Sequence, residues 1–157
     1  MNFKTNVLRI LDKAKVSYLT YDFSNKEMTN AVDMANYLKV NPLTFFKTLV
    51  TYSPHSKEYY VFVVSSSNEL DLKKCAKSVN EKSVEMIPQK DLLKVTGYIH
   101  GGCSPLGMKK EFVTTFDDEI LNHEEIIFSA GKIGHAIKVK VIDLKKVINY
   151  KVNDLII

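Results

Sequence analysis

Glu125-Ile126-Ile127-Phe128-Ser129-Ala130, then Gly131-Lys132-Ile133-Gly134-His135, then Ala136-Ile137-Lys138-Val139-Lys140-Val141 form the stretch on which the reading of the fold turns. Two runs rich in β-branched and aromatic residues flank a small-residue turn, the pattern of paired strands. A third such run at 112–116 precedes them, so three strands cluster late in the chain. Working outward, 45–52 and 59–65 read as an antiparallel pair across a polar turn at 53–57, and 18–23 as a short strand. Helical patterns lie between. Asn2 or Thr5 can cap a first helix whose face is Val7, Leu8, Leu11 and Ala14. Asn30 caps a second that buries Val32, Met34, Ala35 and Leu38. Asn41-Pro42 marks another start, Asp71 caps a helix through Val79, Pro88 opens one through Lys94, and Asp143 caps a last. Strands and helices do not alternate regularly. The expected class is therefore α/β of the α+β kind: a mixed β-sheet or partly closed barrel flanked by helices, and not a doubly wound parallel sheet.

The 157 residues are 45% hydrophobic and contain no linker, repeat or low-complexity segment, which predicts one domain over 1–157. No apolar run approaches the ~20 residues of a membrane span. The first residues lack the apolar core and small-residue cleavage site of a secretory signal. The expectation is a cytoplasmic protein with no membrane partner. Cys75 and Cys103 are too few for a disulfide framework. Cys75 shares helical spacing with Leu72, Ala76 and Val79 and reads as core. The net charge of +4 is almost entirely lysine, Arg9 being the single arginine. That balance is compatible with weak, salt-sensitive nucleic-acid docking.

The strongest local signal is Gly97-Tyr98-Ile99-His100-Gly101-Gly102-Cys103-Ser104-Pro105-Leu106-Gly107. Residues 96–107 hold four of the six glycines and one of the four prolines, around a Tyr98-Ile99-His100 strand fragment. Such a loop can aim several backbone N–H groups into one cavity, to hold a phosphate or an oxyanion. A tight turn between strands would also account for part of it. In Phe45-Phe46-Lys47-Thr48-Leu49, a lysine within an apolar run either snorkels outward or faces a cleft. Residues 129–134 are adequately explained as a hairpin turn. His55, His100, His123 and His135 are scattered without zinc-site spacing, and there is no nucleophile elbow or Walker loop. Asp117, Asp118 and Glu119 read as a solvated helix start. No metal or organic cofactor is expected.

Together, Phe46-Lys47-Thr48-Leu49, the run Glu-Leu-Asp-Leu-Lys-Lys at 69–74, Val84-Glu85-Met86, residues 96–107 and Ser129-Ala130-Gly131-Lys132 resemble the YbaK family. Their order and spacing cover essentially the whole chain. The resemblance implies the fold of the YbaK and prolyl-tRNA synthetase-associated editing domains, a mixed-sheet barrel with surrounding helices. It also implies an aminoacyl-tRNA deacylase that clears mischarged Cys-tRNA(Pro) in trans, alongside prolyl-tRNA synthetase as a transient partner. The need is physical: proline and cysteine are of similar volume, and apolar contacts discriminate by only ~1–3 kcal/mol, so a second site must select differently.

Carried over residue by residue, the resemblance makes Lys47 the essential lysine, holding the terminal adenosine phosphate or polarising the ester. Gly101, Gly102, Cys103, Ser104 and Pro105 match the family's Gly-X-X-X-Pro loop, with Gly101 beside the reacting carbonyl. Tyr21, Ser129 and Gly131 match pocket positions. The family's substrate-assisted cleavage, in which the cysteinyl thiol attacks its own ester, fits a chain without a triad or metal motif. Cys103 stands at a variable loop position and is expected to line the pocket. Ala136 replaces an acidic or amide residue of relatives and Ile133 a basic one, which bears on substrate preference. The alternatives are a deacylase for another small amino acid, such as Ala-tRNA(Pro), and a non-catalytic module that binds tRNA or a synthetase.

Overall fold

The hydroxyl of Thr5 accepts from Leu8 N–H at 3.2 Å and so starts helix α1, Asn6–Lys13. The alternative cap, Asn2, lies outside residues 4–24 and 30–157, which the computed structural model describes. Val7, Leu8 and Leu11 are buried on one side of α1. Strand β1, Tyr18–Asp22, follows. Asn30 then accepts from Asp33 N–H at 2.9 Å to cap α2, Ala31–Leu38. Of the apolar residues expected inward on α2, Ala35 is buried and Met34 and Leu38 are partly buried, but Val32 is exposed. Ala31, Met34, Ala35 and Leu38 keep helical spacing toward the core, and Val32 falls about 100° off that stripe.

After a 3-10 turn at Pro42–Thr44, β2 (Phe46–Ser53) pairs antiparallel with β3 (Glu58–Ser65), from Phe46 opposite Ser65 to Ser53 opposite Glu58. Helix α3, Leu72–Ser78, is capped by Asp71 and buries Cys75 and Ala76. Strand β4, Glu85–Met86, meets the other edge of β2 only at Thr51 and Tyr52. Pro88 precedes a 3-10 turn, Gln89–Asp91, which runs into α4, Leu92–Thr96. Strand β5, Val113–Asp117, lies parallel to β3, and β8, Lys151–Asn153, parallel to β5. These make one mixed sheet in the order β4-β2-β3-β5-β8. Strands β6 (Glu125–Lys132) and β7 (His135–Lys140) form the expected hairpin, and β1 adds to it, giving an antiparallel sheet β1-β7-β6.

The two sheets touch through an isolated parallel bridge between Phe45 and Ile127. The hydrogen-bond ladder goes no further at that corner, so the described residues form a mixed α/β arrangement of two sheets flanked by helices, without a closed barrel. The main core joins Phe46, Val50, Val61, Val63 and Phe116 of the larger sheet to Ile126, Phe128, Ile137 and Val139 of the smaller, with Val7 and Leu11 of α1. Each such side chain contributes roughly 1.5–3 kcal/mol on burial.

Three local expectations are corrected. Residues 98–100 are not a strand, because their bonds are local: Tyr98 N–H donates to the Thr96 hydroxyl, and Gly102 N–H closes a turn onto Ile99. Asp143 does not cap the last helical segment. A 3-10 turn, Val141–Lys146, follows β7 directly, leaving Asp143 in its first turn, paired with Lys146 at 2.9 Å. Asp117 does cap a 3-10 turn, Asp118–Asn122, but it is fully buried, accepting from Glu119 N–H and Leu155 N–H. No helix among the described residues is long and apolar enough to cross a membrane.

Candidate functional site

Burial along β2 alternates as the pleat requires. Phe46, Thr48 and Val50 face the main core, while Lys47 and Leu49 are half-buried on the other side. Because β4 pairs with the far end of β2 and its last bond on that side runs from Ile87 N–H to the Val50 carbonyl, the edge over residues 46–49 has no strand partner among the described residues on the side away from β3. A cavity of about 420 Å³ occupies that opening. Its walls are residues 46–50 of β2, Met86 and Ile87, Gln89 and Leu92 of the α4 segment, His100, Gly101 and Cys103 of the glycine loop, and Ser129 of β6.

The loop reaches β6 because it is held from behind. Tyr98 donates its hydroxyl proton to the Leu106 carbonyl, and the Thr96 hydroxyl bonds both the Leu92 carbonyl and Tyr98 N–H. Burial pushes the Tyr98 phenol up to about 12, so it stays a donor. At Gly102 the loop lies directly on the β6–β7 turn: a Cβ there would meet Ile133 N at 3.2 Å and the Lys132 carbonyl carbon at 3.4 Å. A side chain there would push the backbone of the turn back by a few tenths of an ångström, so glycine permits the close approach. The Gly102 amide is spent on Ile99, whereas the amides of Gly101 and Cys103 have no acceptor among the described residues and remain available to a ligand.

Lys47, Gly101, Cys103 and Ser129 are thus brought to one cavity. Burial lowers the Lys47 pKa, with Glu69 acting in the opposite direction. A smaller chamber of about 190 Å³ adjoins, lined by Met34, Phe45, Phe128 and Ala136 among others, and sharing Phe46, Gly101 and Ser129 with the first. Gly101 and Ser129 therefore stand at the junction. Tyr21 lies one strand further away. It pairs with Ala136, which pairs with Ser129, so the three line up across the small sheet. Tyr21 itself lines a separate small cavity with Asp22, Ala130 and His135.

The other expected pocket residues are not brought to the main cavity. Ser104 and Pro105 are buried, and Pro105 lines a different groove with Leu106 and Gly107. A Cβ on Gly131 would meet Tyr98 and Val7 at 3.1 Å, so this glycine serves the packing behind the loop. Residues with no individual signal in the sequence also build the wall: Thr48, Ile87, Gln89 and Leu92. Thr48 and Leu92 look like an ordinary strand-interior and helix-face residue, and Gln89 like an exposed turn residue, so their types carry no signal.

Cys103 is set apart from nucleophilic chemistry. Burial pushes its thiol up to about 12, against a partial opposing effect of Thr96. Cys75 is pushed to about 12 by burial as well. At pH 7.5 neither thiol is expected to react with a disulfide reagent until the protein is unfolded in urea. Rapid labelling of the folded protein would show the assignment to be wrong. Asp117, Asp118 and Asp154 bring carboxylate oxygens within 4.8 Å of one another. That cluster is already compensated: both Asp117 oxygens accept backbone N–H bonds, and Lys74 Nζ lies 2.8 Å from Asp154.

Residues 25–147 match the family description of the aminoacyl-tRNA editing domain. A protein of Enterococcus faecalis assigned as the Cys-tRNA(Pro)/Cys-tRNA(Cys) deacylase EbsC is 43% identical over 136 residues, covering 86% of this chain and 82% of that protein. Two solved structures share the fold. One is of a hypothetical protein, with a TM-score of 0.85 and 16% identity, over 96% of this chain and 99% of the other. The second is assigned as a trans-editing enzyme for prolyl tRNA synthetase, with a TM-score of 0.82 and 20% identity, over 99% of each chain.

Proposed function

The chain belongs to the aminoacyl-tRNA editing domain family and is an aminoacyl-tRNA deacylase, and from that premise we propose that it clears Cys-tRNA(Pro) in trans. The observation that carries this reading is the shared cavity of Lys47, Gly101, Cys103 and Ser129, with unpaired loop amides at its edge. Its volume falls in the range of small-ligand sites and suits an aminoacylated terminal nucleoside. The relative's assignment to Cys-tRNA supports the choice of amino acid.

The proposed reaction uses the substrate's own sulfur. The cysteinyl thiol attacks the ester carbonyl; the carbon–sulfur bond forms as the bond to the ribose 3′ oxygen breaks. The thiol proton passes to that oxygen, releasing intact tRNA and a four-membered thiolactone that water opens. Free amides of Gly101 and Cys103 and the Lys47 ammonium stabilise negative charge on the carbonyl and ribose oxygens. Holding the thiol against the ester supplies the rest, since an attached nucleophile already enjoys a high effective concentration. Ser129, whose hydroxyl accepts from Gly131 N–H at 3.0 Å, orients the aminoacyl end and is not the nucleophile. The reaction belongs to the cytoplasm, with prolyl-tRNA synthetase as a transient source of the mischarged tRNA.

The test is a panel of preformed Cys-tRNA(Pro), Cys-tRNA(Cys), Ala-tRNA(Pro) and Pro-tRNA(Pro). Cys-tRNA(Pro) should lose its ester at least about tenfold faster than Ala-tRNA(Pro), which has no thiol to assist. Preference for alanine would exclude self-cleavage by sulfur.

A further inference from the structure

The mouth of the 420 Å³ cavity differs chemically from its floor. Phe46, Thr48 and Val50 are buried, and Lys47, Cys103 and Ser129 half-buried, so these form the floor and inner wall. Met86, Gln89, His100 and Gly101 are exposed and form the mouth. Among the described residues, the ionisable side chains lining the cavity are Lys47, Cys103 and His100, and none is a carboxylate. Of the three, His100 alone stands at the mouth. The backbone fixes it there. Gly102 N–H donates to the Ile99 carbonyl at 3.0 Å, closing a four-residue turn with His100 second and Gly101, φ +88°, third. Positive φ in the third position suits glycine, whereas the second position accepts most residues. The turn therefore does not require an imidazole, and the ring bonds to no other described residue.

We propose that His100 is a substrate-binding residue, which donates a ring N–H to the 5′ phosphate of the aminoacylated terminal nucleotide. This rests on the deacylase reading, which holds the reacting ester against Lys47 and the amides of Gly101 and Cys103. From an ester anchored there, the rest of the tRNA has to leave through the mouth, being far larger than the cavity. The phosphate lies one sugar away from the ester and so comes to the outer part of the site. His100 is one residue outward from Gly101 along the turn, on the path the nucleotide takes. A phosphate oxygen is a charged acceptor and makes the stronger kind of hydrogen bond. No carboxylate lines the cavity to repel it. Met86 and Gln89, the other exposed side chains at the mouth, are neutral and suit the nucleoside.

The probes are cysteinyl-adenosine analogues with an uncleavable amide in place of the ester, prepared with and without a 5′ phosphate. Wild type should bind the phosphorylated form about tenfold more tightly. In His100→Ala that advantage should fall to within about twofold, while the affinity for the phosphate-free form and the urea midpoint stay unchanged. His100→Lys keeps a donor at the mouth and should retain an advantage of at least about threefold. With Cys-tRNA(Pro), His100→Ala should raise KM by about tenfold at unaltered kcat. A phosphate advantage that survives in His100→Ala would overturn the proposal. So would equal weakening of both analogues, which would set the imidazole against the base or the acyl end. If wild type cleaves no aminoacyl-tRNA but shows this binding pattern, the deacylase reading fails and the phosphate contact stands. If wild type binds neither analogue, or binds both alike, the His100 assignment fails.

Discussion

Lys47→Ala is expected to lower kcat/KM for Cys-tRNA(Pro) by about 100-fold or more, with the fold intact. Removing one preorganised charged donor from a site where negative charge develops costs about 10²–10³ in rate. Among the described residues Lys47 is the only lysine lining the cavity, and the backbone amides cannot replace a full positive charge. The lysine lies at the open edge of β2, where its long side chain can reach round from the half-buried side. Lys47→Arg should not rescue, because the planar guanidinium needs a different arrangement of acceptors. Single-turnover cleavage of preformed Cys-tRNA(Pro) measures the effect. A Lys47→Ala protein with wild-type rates would leave the loop amides as the whole of the electrostatic contribution.

The same residue carries a stability signature of opposite sense. Burial holds the Lys47 pKa below 10.5 in the folded protein, while the unfolded chain keeps the ordinary value. Between the two values the unfolded state binds more protons, so wild-type stability rises as pH rises through that window. Lys47→Met has no such titration. Its urea midpoint should exceed that of wild type at pH 7, with the difference narrowing by pH 10.5. A lysine that costs stability and is needed for rate is the usual mark of a functional position.

The sequence revealed elements whose signal is local. Thr5, Asn30 and Asp71 were readable as caps because a short polar side chain before an apolar period has one main use. The β2–β3 and β6–β7 pairs were readable because strand runs flank turn residues. Strands β4 and β8 were not: two and three residues long, they are strands only because β2 and β5 offer edges to them. The site divides in the same way. Gly101 and Lys47 stood out by residue type in an unusual setting. Thr48 looked like any β-branched strand residue, and only the fold shows that it lines the cavity. Ser104, Pro105 and Gly131 stood out equally, yet they shape the loop from outside the main cavity. A glycine-rich motif reveals where the backbone is unusual, without separating the residues that face a ligand from those that let them do so.

Gly107→Ala tests that division, and it should be the most destabilising single-methyl change in the loop. Gly107 has φ +79°, and a Cβ there would lie 2.7 Å from the Tyr98 hydroxyl, 3.0 Å from Asn6 Nδ2 and 3.4 Å from Ile10 Cδ1. The positive φ alone costs an alanine about 1 kcal/mol or more. The contact with Tyr98 is worse, because that hydroxyl is fixed on the Leu106 carbonyl and cannot retreat without leaving a partly buried bond unmade. Helix α1 closes the other side through Asn6 and Ile10. Together these predict a loss of about 2–4 kcal/mol, read as a lower urea midpoint at unchanged m-value. Gly101→Ala provides the contrast: its φ is +88°, but its nearest contact is Ile133 Cγ1 at 3.6 Å. It should lose less stability and more activity, since the new methyl stands at the junction of the two chambers. Equal stability losses in the two variants would mean that backbone strain governs the loop, and that the Tyr98 clamp does not hold it against β6.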